Sequence, residues 1–168
     1  MLTPPAAAGA APAGPQWHWV TAEPLTPEAF APYGQVVGRE AVQLETRGGE
    51  ELTLDVLHHE RRPFRIDHLN RHHLATQTLV PLHSRPACIV VGAPDLTFAD
   101  PADLHELRAF LLDGSRGLNL AVGTWHEGPW PLLEDLDLVN LQGRDVTWRD
   151  NEVAHLERDF GVVVGVRL

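Results

Sequence analysis

The chain has no lysine: all 13 of its basic residues are arginines. That removes Schiff-base chemistry and the phosphate-loop lysine, and leaves anion binding to arginine forks or backbone N–H groups. Cysteine is nearly absent. Cys88 stands alone in the apolar run ACIVV, where it reads as a small buried hydrophobe. No disulfide can form within one chain, which fits a reducing, cytoplasmic setting. No apolar run approaches the roughly 20 residues of a membrane span. Positive charge is outweighed throughout, 23 acidic residues giving a formal net charge of −10. Nucleic acid and anionic membrane surfaces are therefore not expected as partners.

A chain of 168 residues is the size of one domain and can bury roughly 70% of its unfolded surface. Residues 1–16, MLTPPAAAGAAPAGPQ, have no basic start, and prolines interrupt any apolar segment. They are expected to form a disordered tail rather than a signal peptide, with residues 17–168 as a single domain. Thr26 and Pro27 mark the cap and first turn of a short helix that Pro32 and Gly34 end. Asp100 and Pro101 open a second, with Leu104, Leu107, Phe110 and Leu111 as its apolar stripe and Asp113-Gly114 as its end. The remaining apolar segments, 52–59, 63–68, 76–82, 87–92, 118–123, 136–141 and 160–168, are short, alternating or wholly apolar, and bounded by Gly, Pro and Asp. They predict strands of an antiparallel sandwich or barrel.

Two stretches carry candidate chemistry. In GTWHEGPWP (123–131), His126 lies between Trp125 and Glu127, with Trp130 close by and glycines and prolines bending the chain. That composition suits the lip or floor of a pocket. In HLNRHHLATQ (68–77), alternation along an extended chain puts His68, Asn70 and His72 on one face and Arg71 and His73 on the other. Gln77 can rejoin the first face from the next strand, and His126 can close the group from a distant one. Two imidazoles and two carboxamides converging in a barrel have proton-transfer or metal-binding capacity. A buried polar network that satisfies only itself is the plainer alternative.

Asn70-x-His72-x4-Gln77 and Gly117-x5-Gly123-x2-His126 resemble the two motifs of the cupin superfamily. The segments PLTPEAFAPYGQVV, NRHHLATQTLVPL, ELRAFL and GSRGLNLAVGTWHE, in that order, resemble the ureidoglycolate lyase family more closely. The resemblance implies an all-β, cupin-type antiparallel β-barrel or jelly roll with one or two short helices, commonly paired as a homodimer. It also implies release of urea from ureidoglycolate to give glyoxylate, in allantoin and purine breakdown. The family's glutamate before its R-H pair is Asn70 here, its next proline is His73, and its second tandem histidine is Glu127.

Elimination of urea needs a base for the hydroxyl proton and an acid for the departing nitrogen. His72, His126 and Gln77 are the expected catalytic group, because histidine titrates near neutrality. Arg71, with Asn70, Trp125 and Glu127, is expected to bind substrate; Arg65 and Arg116 are alternative partners for its carboxylate. His72, Gln77 and His126 are also the candidate ligands of a divalent transition metal. With Asn70 replacing the family's carboxylate, such a metal is expected to bind weakly or not at all. The partner is thus a small 2-hydroxy acid. An amidohydrolase releasing ammonia and carbon dioxide, or a non-catalytic small-acid-binding cupin, are the competing expectations.

Overall fold

A computed structural model describes residues 14–168, so residues 1–13 of the expected tail lie outside the described residues. The described chain contains twelve strands: β1 (Gln16–Pro24), β2 (Gly34–Val37), β3 (Leu52–His59), β4 (Leu69–Arg71), β5 (Gln77–Pro81), β6 (Ala87–Gly92), β7 (Arg108–Leu112), β8 (Gly117–Leu120), β9 (Trp125–Pro131), β10 (Leu136–Gly143), β11 (Glu152–Ala154) and β12 (Val162–Arg167). Three short helices, α1 (Pro27–Phe30), α2 (Val146–Arg149) and α3 (Leu156–Phe160), interrupt them. One sheet has the order β11-β4-β9-β6-β7-β1-β12 and the other β2-β8-β5-β10-β3. Pairing is antiparallel except where β1 runs parallel to β12 and to β7. This is the mainly β, largely antiparallel architecture the sequence predicts. Among the described residues no helix is long and apolar enough to cross a membrane.

Strand β6 shows why the sheets stack as they do. Its run ACIVVG is apolar at successive positions, and both its faces are covered. Ala87, Ile89 and Val91 pack in the core between the two sheets, against Leu79, Leu118, Leu120, Leu136 and Leu138. Cys88 and Val90 face a second core with Trp125, Trp130, Ile66 and Val164. A strand buried on both sides loses the polar alternation of a half-exposed one.

Strand β10 places the site. One of its faces reads Leu136, Leu138, Asn140, Gln142, at the period of two that a strand imposes. The two leucines are fully buried in the inter-sheet core. The two carboxamides continue the same row, so the interior turns from apolar to polar along a single strand. Opposite them on β3 stand His59, Leu57, Asp55 and Thr53.

Two local expectations change. Thr26 caps α1 as predicted, accepting from the Ala29 N–H at 3.2 Å. The second helix, however, is a short 3₁₀ segment, Pro101–Glu106, followed by β7. Asp100 caps it as expected, through Ala102 N. Residues 107–112 then extend because β6 and β1 flank them on both sides, and a short apolar run cannot distinguish a buried strand from a helix. The segment 63–68 is not a strand either; it contributes one isolated bridge, Ile66 to Val164.

Candidate active site

The ladder between β4 and β9 sets Asn70 directly opposite His126. Just beyond it, the Gly123 N–H donates to the His72 carbonyl at 2.7 Å, and Gly123 takes the positive φ of +85° that favours glycine. These two pins bring His72 and His126 edge to face, ring centroids 5.1 Å apart at 66°. His72 Nδ1 donates to the Asp150 carbonyl at 2.7 Å, and His126 Nδ1 to the Thr124 carbonyl at 3.0 Å. A carbonyl only accepts, so each Nδ1 carries the proton and each Nε2 keeps its lone pair. Burial pushes both rings toward the neutral form. His72 lies below its ordinary value, the Asp150 bond partly opposing burial. His126 is pushed down to about 3, by burial and then by its neighbour His72.

Both rings line a cavity of about 240 Å³, with Asn70, Glu127, Gln142 and Leu57. Val146 and Thr147 of α2, and Asn151 after it, complete the wall. An open groove of about 570 Å³, bordered by Asp67, His68 and His155, shares Asn70 and Asn151 with it. Glu127 turns inward and keeps only 15% of its side chain exposed. Asn70 Nδ2 donates to its Oε2 at 2.9 Å, and Arg62 donates to its Oε1 at 3.2 Å. His68 Nε2 stands 3.5 Å from Oε2 and is itself bonded through Nδ1 to Asp67 at 2.6 Å. Burial raises the Glu127 carboxyl above its ordinary range, against the opposing pull of His68, Arg62 and Asn70.

Four residues singled out in the sequence therefore meet: His72, His126, Asn70 and Glu127. The contact between Asn70 and Glu127 is informative. The carboxylate that the resemblance places on β4 is supplied here from β9, one residue beyond the rung that joins the two strands. Gln77 stands one layer behind the cavity wall, both its amide hydrogens committed to Asn140 and Gln142 at 3.0 Å.

Arg71 is turned to the opposite side, as alternation requires. It forks onto Glu152 at 2.8 Å twice, donates to the Pro94 and Leu96 carbonyls, and lies over the Trp125 ring at 4.2 Å. Those bonds engage all three of its nitrogens and hold it away from the cavity, which it does not line. Trp125 packs behind the strand, its Nε1 on the Leu96 carbonyl, and Trp130 packs against Phe64; neither lines the cavity. Arg65 pairs with Asp67 and Glu157 at the surface, and Arg116 borders a separate groove.

Other residues of the site escaped the sequence reading. Asp150 holds the turn after β4, its carboxylate accepting from His73 N at 2.8 and 2.9 Å and from Leu74 N at 2.7 Å, while its carbonyl orients His72. Gln142, Thr147 and Asn151 form the polar wall. No local pattern marks any of them; all four come from the β10–α2–β11 segment, which only tertiary folding brings across β4. As for a metal, the cavity offers two imidazole nitrogens and the Glu127 carboxyl, but both carboxyl oxygens are engaged by Asn70 and Arg62, and Gln77 is held back from the cavity. Among the described residues no group of three or more His, Cys, Asp or Glu is placed to hold an ion. The donors do not fit a resident transition metal, which ordinarily takes three or more protein ligands.

A family model described as ureidoglycolate lyase matches residues 42–163. The ureidoglycolate lyase of Burkholderia mallei is 33% identical over 138 residues, 70% of this chain and 78% of that protein. Its counterpart from Brucella abortus is 34% identical over 155 residues, 77% and 87% of the two chains. Among solved structures, RmlC from Streptococcus suis, in complex with dTDP-D-xylose, aligns over 55% of this chain and 44% of its own, at 11% identity and a TM-score of 0.37.

Proposed function

The chain belongs to the ureidoglycolate lyase family, and from that membership and its cavity we propose that it is a carbon–nitrogen lyase releasing urea from ureidoglycolate to leave glyoxylate. One observation carries the assignment of roles. Two neutral imidazoles and one carboxyl raised by burial share a single cavity. A base and an acid must act together in this elimination, and the two groups are pushed in the directions those roles require.

His72 is the base. Its Nε2 lone pair takes the hydroxyl proton as the C–O bond becomes C=O and the C–N bond breaks. His126, pushed down to about 3, is too weak a base for that step and accepts a hydrogen bond from the ureido N–H instead. Protonated Glu127 gives its proton to the departing nitrogen, which leaves as urea. The proton taken by His72 and the one given by Glu127 balance, so turnover consumes no net acid. Asn70 holds the Glu127 carboxyl in place through its 2.9 Å bond. General acid–base assistance of this kind is worth about 10²–10⁴-fold.

Purified protein incubated with ureidoglycolate should yield urea and glyoxylate in equal amounts above the spontaneous rate. Ammonia in place of urea would instead support the amidohydrolase reading, and binding without turnover the non-catalytic one. No step is routed through a metal, so chelator treatment should leave the rate within a factor of two, and metal analysis should find no stoichiometric transition metal. Cytoplasmic localisation and a homodimer belong to the same reading. Leu54 and Val56, 68% and 59% exposed on the edge strand β3, adjoin Val139 and Leu141 of β10 and suit pairing with a second copy, which analytical ultracentrifugation would detect.

A further inference from the structure

The cavity must receive a carboxylate, yet no arginine lines it. Charge-neutral donors remain, and one of them has an orientation dictated from a distance. Asn140 Nδ2 donates to Asp55 Oδ1 at 2.8 Å. A carboxylate oxygen can only accept, so the Asn140 amide cannot be reversed. Its Oδ1 therefore faces Gln77 and accepts from Gln77 Nε2 at 3.0 Å. The second hydrogen of that Nε2 goes to Gln142 Oε1 at 3.0 Å. Gln142 thus has its oxygen engaged inward, and its NH₂ is the group left for the cavity it lines. The arrangement has a cost: Gln77 Oε1 is buried without a hydrogen-bond partner. Leaving an acceptor so typically costs about 1–3 kcal/mol, and reversing Gln77 would relieve it only by setting oxygen against the oxygens of Asn140 and Gln142.

We propose that Gln142 is the specificity-determining donor for the substrate's carboxylate, and that Asp55 is a positioning residue acting on it through Asn140 and Gln77. The proposal deepens the lyase reading and rests on it for the identity of the ligand. Thr147, on the same wall, supplies a neighbouring hydroxyl. Neutral donors suit this site, since Arg62 already pulls Glu127 toward its charged form, and a second guanidinium would add to that pull and weaken Glu127 further as an acid.

The test uses two conservative variants. Gln142→Glu keeps the oxygen that Gln77 needs and exchanges only the NH₂ for a second oxygen. KM for ureidoglycolate should rise about tenfold to a hundredfold, the usual range for losing a hydrogen bond to a charged group, with kcat within threefold. Inhibition by glycolate should weaken in parallel, and any weak inhibition by its uncharged amide should not. Asp55→Asn frees the amide chain to reverse and should raise KM severalfold. That effect should vanish in the Gln142→Glu background, which a merely structural role for Asp55 would not produce. Unchanged KM in Gln142→Glu, or additive effects in the double variant, overturns the proposal. Should Gln142→Glu fail to fold, Asp55→Asn at its exposed position decides on KM and glycolate inhibition alone. If the wild type releases no urea, the lyase reading falls instead, and calorimetric binding of glycolate to wild type and variants still tests Gln142.

Discussion

Asn70 and Glu127 are in direct contact, Nδ2 to Oε2 at 2.9 Å, across the ladder that joins β4 to β9. Each is a departure from the family pattern, and together they leave one carboxyl facing the cavity. If Glu127 is the acid, Glu127→Gln should lower kcat by about 10²–10⁴-fold with little change in KM. Restoring the family pair, Asn70→Glu with Glu127→His, should recover much of that loss, whereas Glu127→His alone should not. Steady-state urea release for the four proteins would sink the acid assignment if Glu127→Gln retained full kcat.

The same groups set the pH dependence of activity. Burial lowers His72 from its ordinary 6.5 and raises Glu127 from its ordinary 4.5. The neutral base needs pH above the His72 value, and the protonated acid needs pH below the Glu127 value. The two shifts draw those limits toward each other, which enlarges the competent fraction. The profile of kcat/KM should be bell-shaped with its optimum on the acid side of neutrality, and Glu127→Gln should lose the alkaline limb. An alkaline limb unchanged in that variant assigns it to another group.

Stability should fall in acid because His126 is buried neutral. The unfolded ring titrates near 6.5 and the folded one at about 3. Between those values the unfolded chain takes up a proton that the folded one refuses, so this contribution is complete above 6.5 and is lost as pH falls toward 3. The expected loss from this ring is about 2–3 kcal/mol between roughly pH 7.5 and pH 4.5. Denaturant unfolding at both pH values, in wild type and His126→Gln, measures it. The variant should show a difference smaller by that amount.

The histidine pair was legible because each ring sits in a stretch whose local pattern is strong. Alternation placed His72 on the face opposite Arg71, and the Gly-rich, Trp-flanked segment marked His126 as a pocket residue. Strand β6 was equally plain, an apolar run of strand length between turn-formers. The ambiguity of residues 107–112 is different in kind: their flanking strands, which the local sequence does not contain, decide between helix and strand. The least legible residues act across the longest separations. Asp150 meets His73 77 positions away, and Asn140 meets Gln77 63 positions away. Both are ordinary polar residues in their own segments, and their roles exist only once β10 and α2 are laid against β4 and β5.

Asp150 offers a test of that positioning. Three N–H bonds from the turn after β4 end on its carboxylate, and Asp150→Ala removes that acceptor while leaving the backbone carbonyl that holds His72. Stability should drop by about 2 kcal/mol, since hydrogen bonds to a charged group are among the stronger ones. His72 should lose its alignment, and kcat should fall about tenfold with the acid limb of the profile broadened. Asp150→Asn, which keeps one acceptor oxygen, should recover most of both. An intact kcat in Asp150→Ala would show that the carbonyl alone is enough to orient the base.

Arg71 provides the converse test, of a residue that the sequence offered as a substrate ligand and the fold uses elsewhere. Its fork closes on Glu152, a further N–H reaches the Pro94 and Leu96 carbonyls, and its plane covers Trp125. Lysine can reproduce neither the fork nor the stacking. Arg71→Lys should therefore lower the melting temperature, at a cost of about 1–2 kcal/mol, and leave KM for ureidoglycolate within twofold. Both quantities come from one preparation, by thermal unfolding and by initial rates. A rise in KM of tenfold or more, with the melting temperature unmoved, would return Arg71 to the substrate and require the β4 strand to present its other face to the cavity.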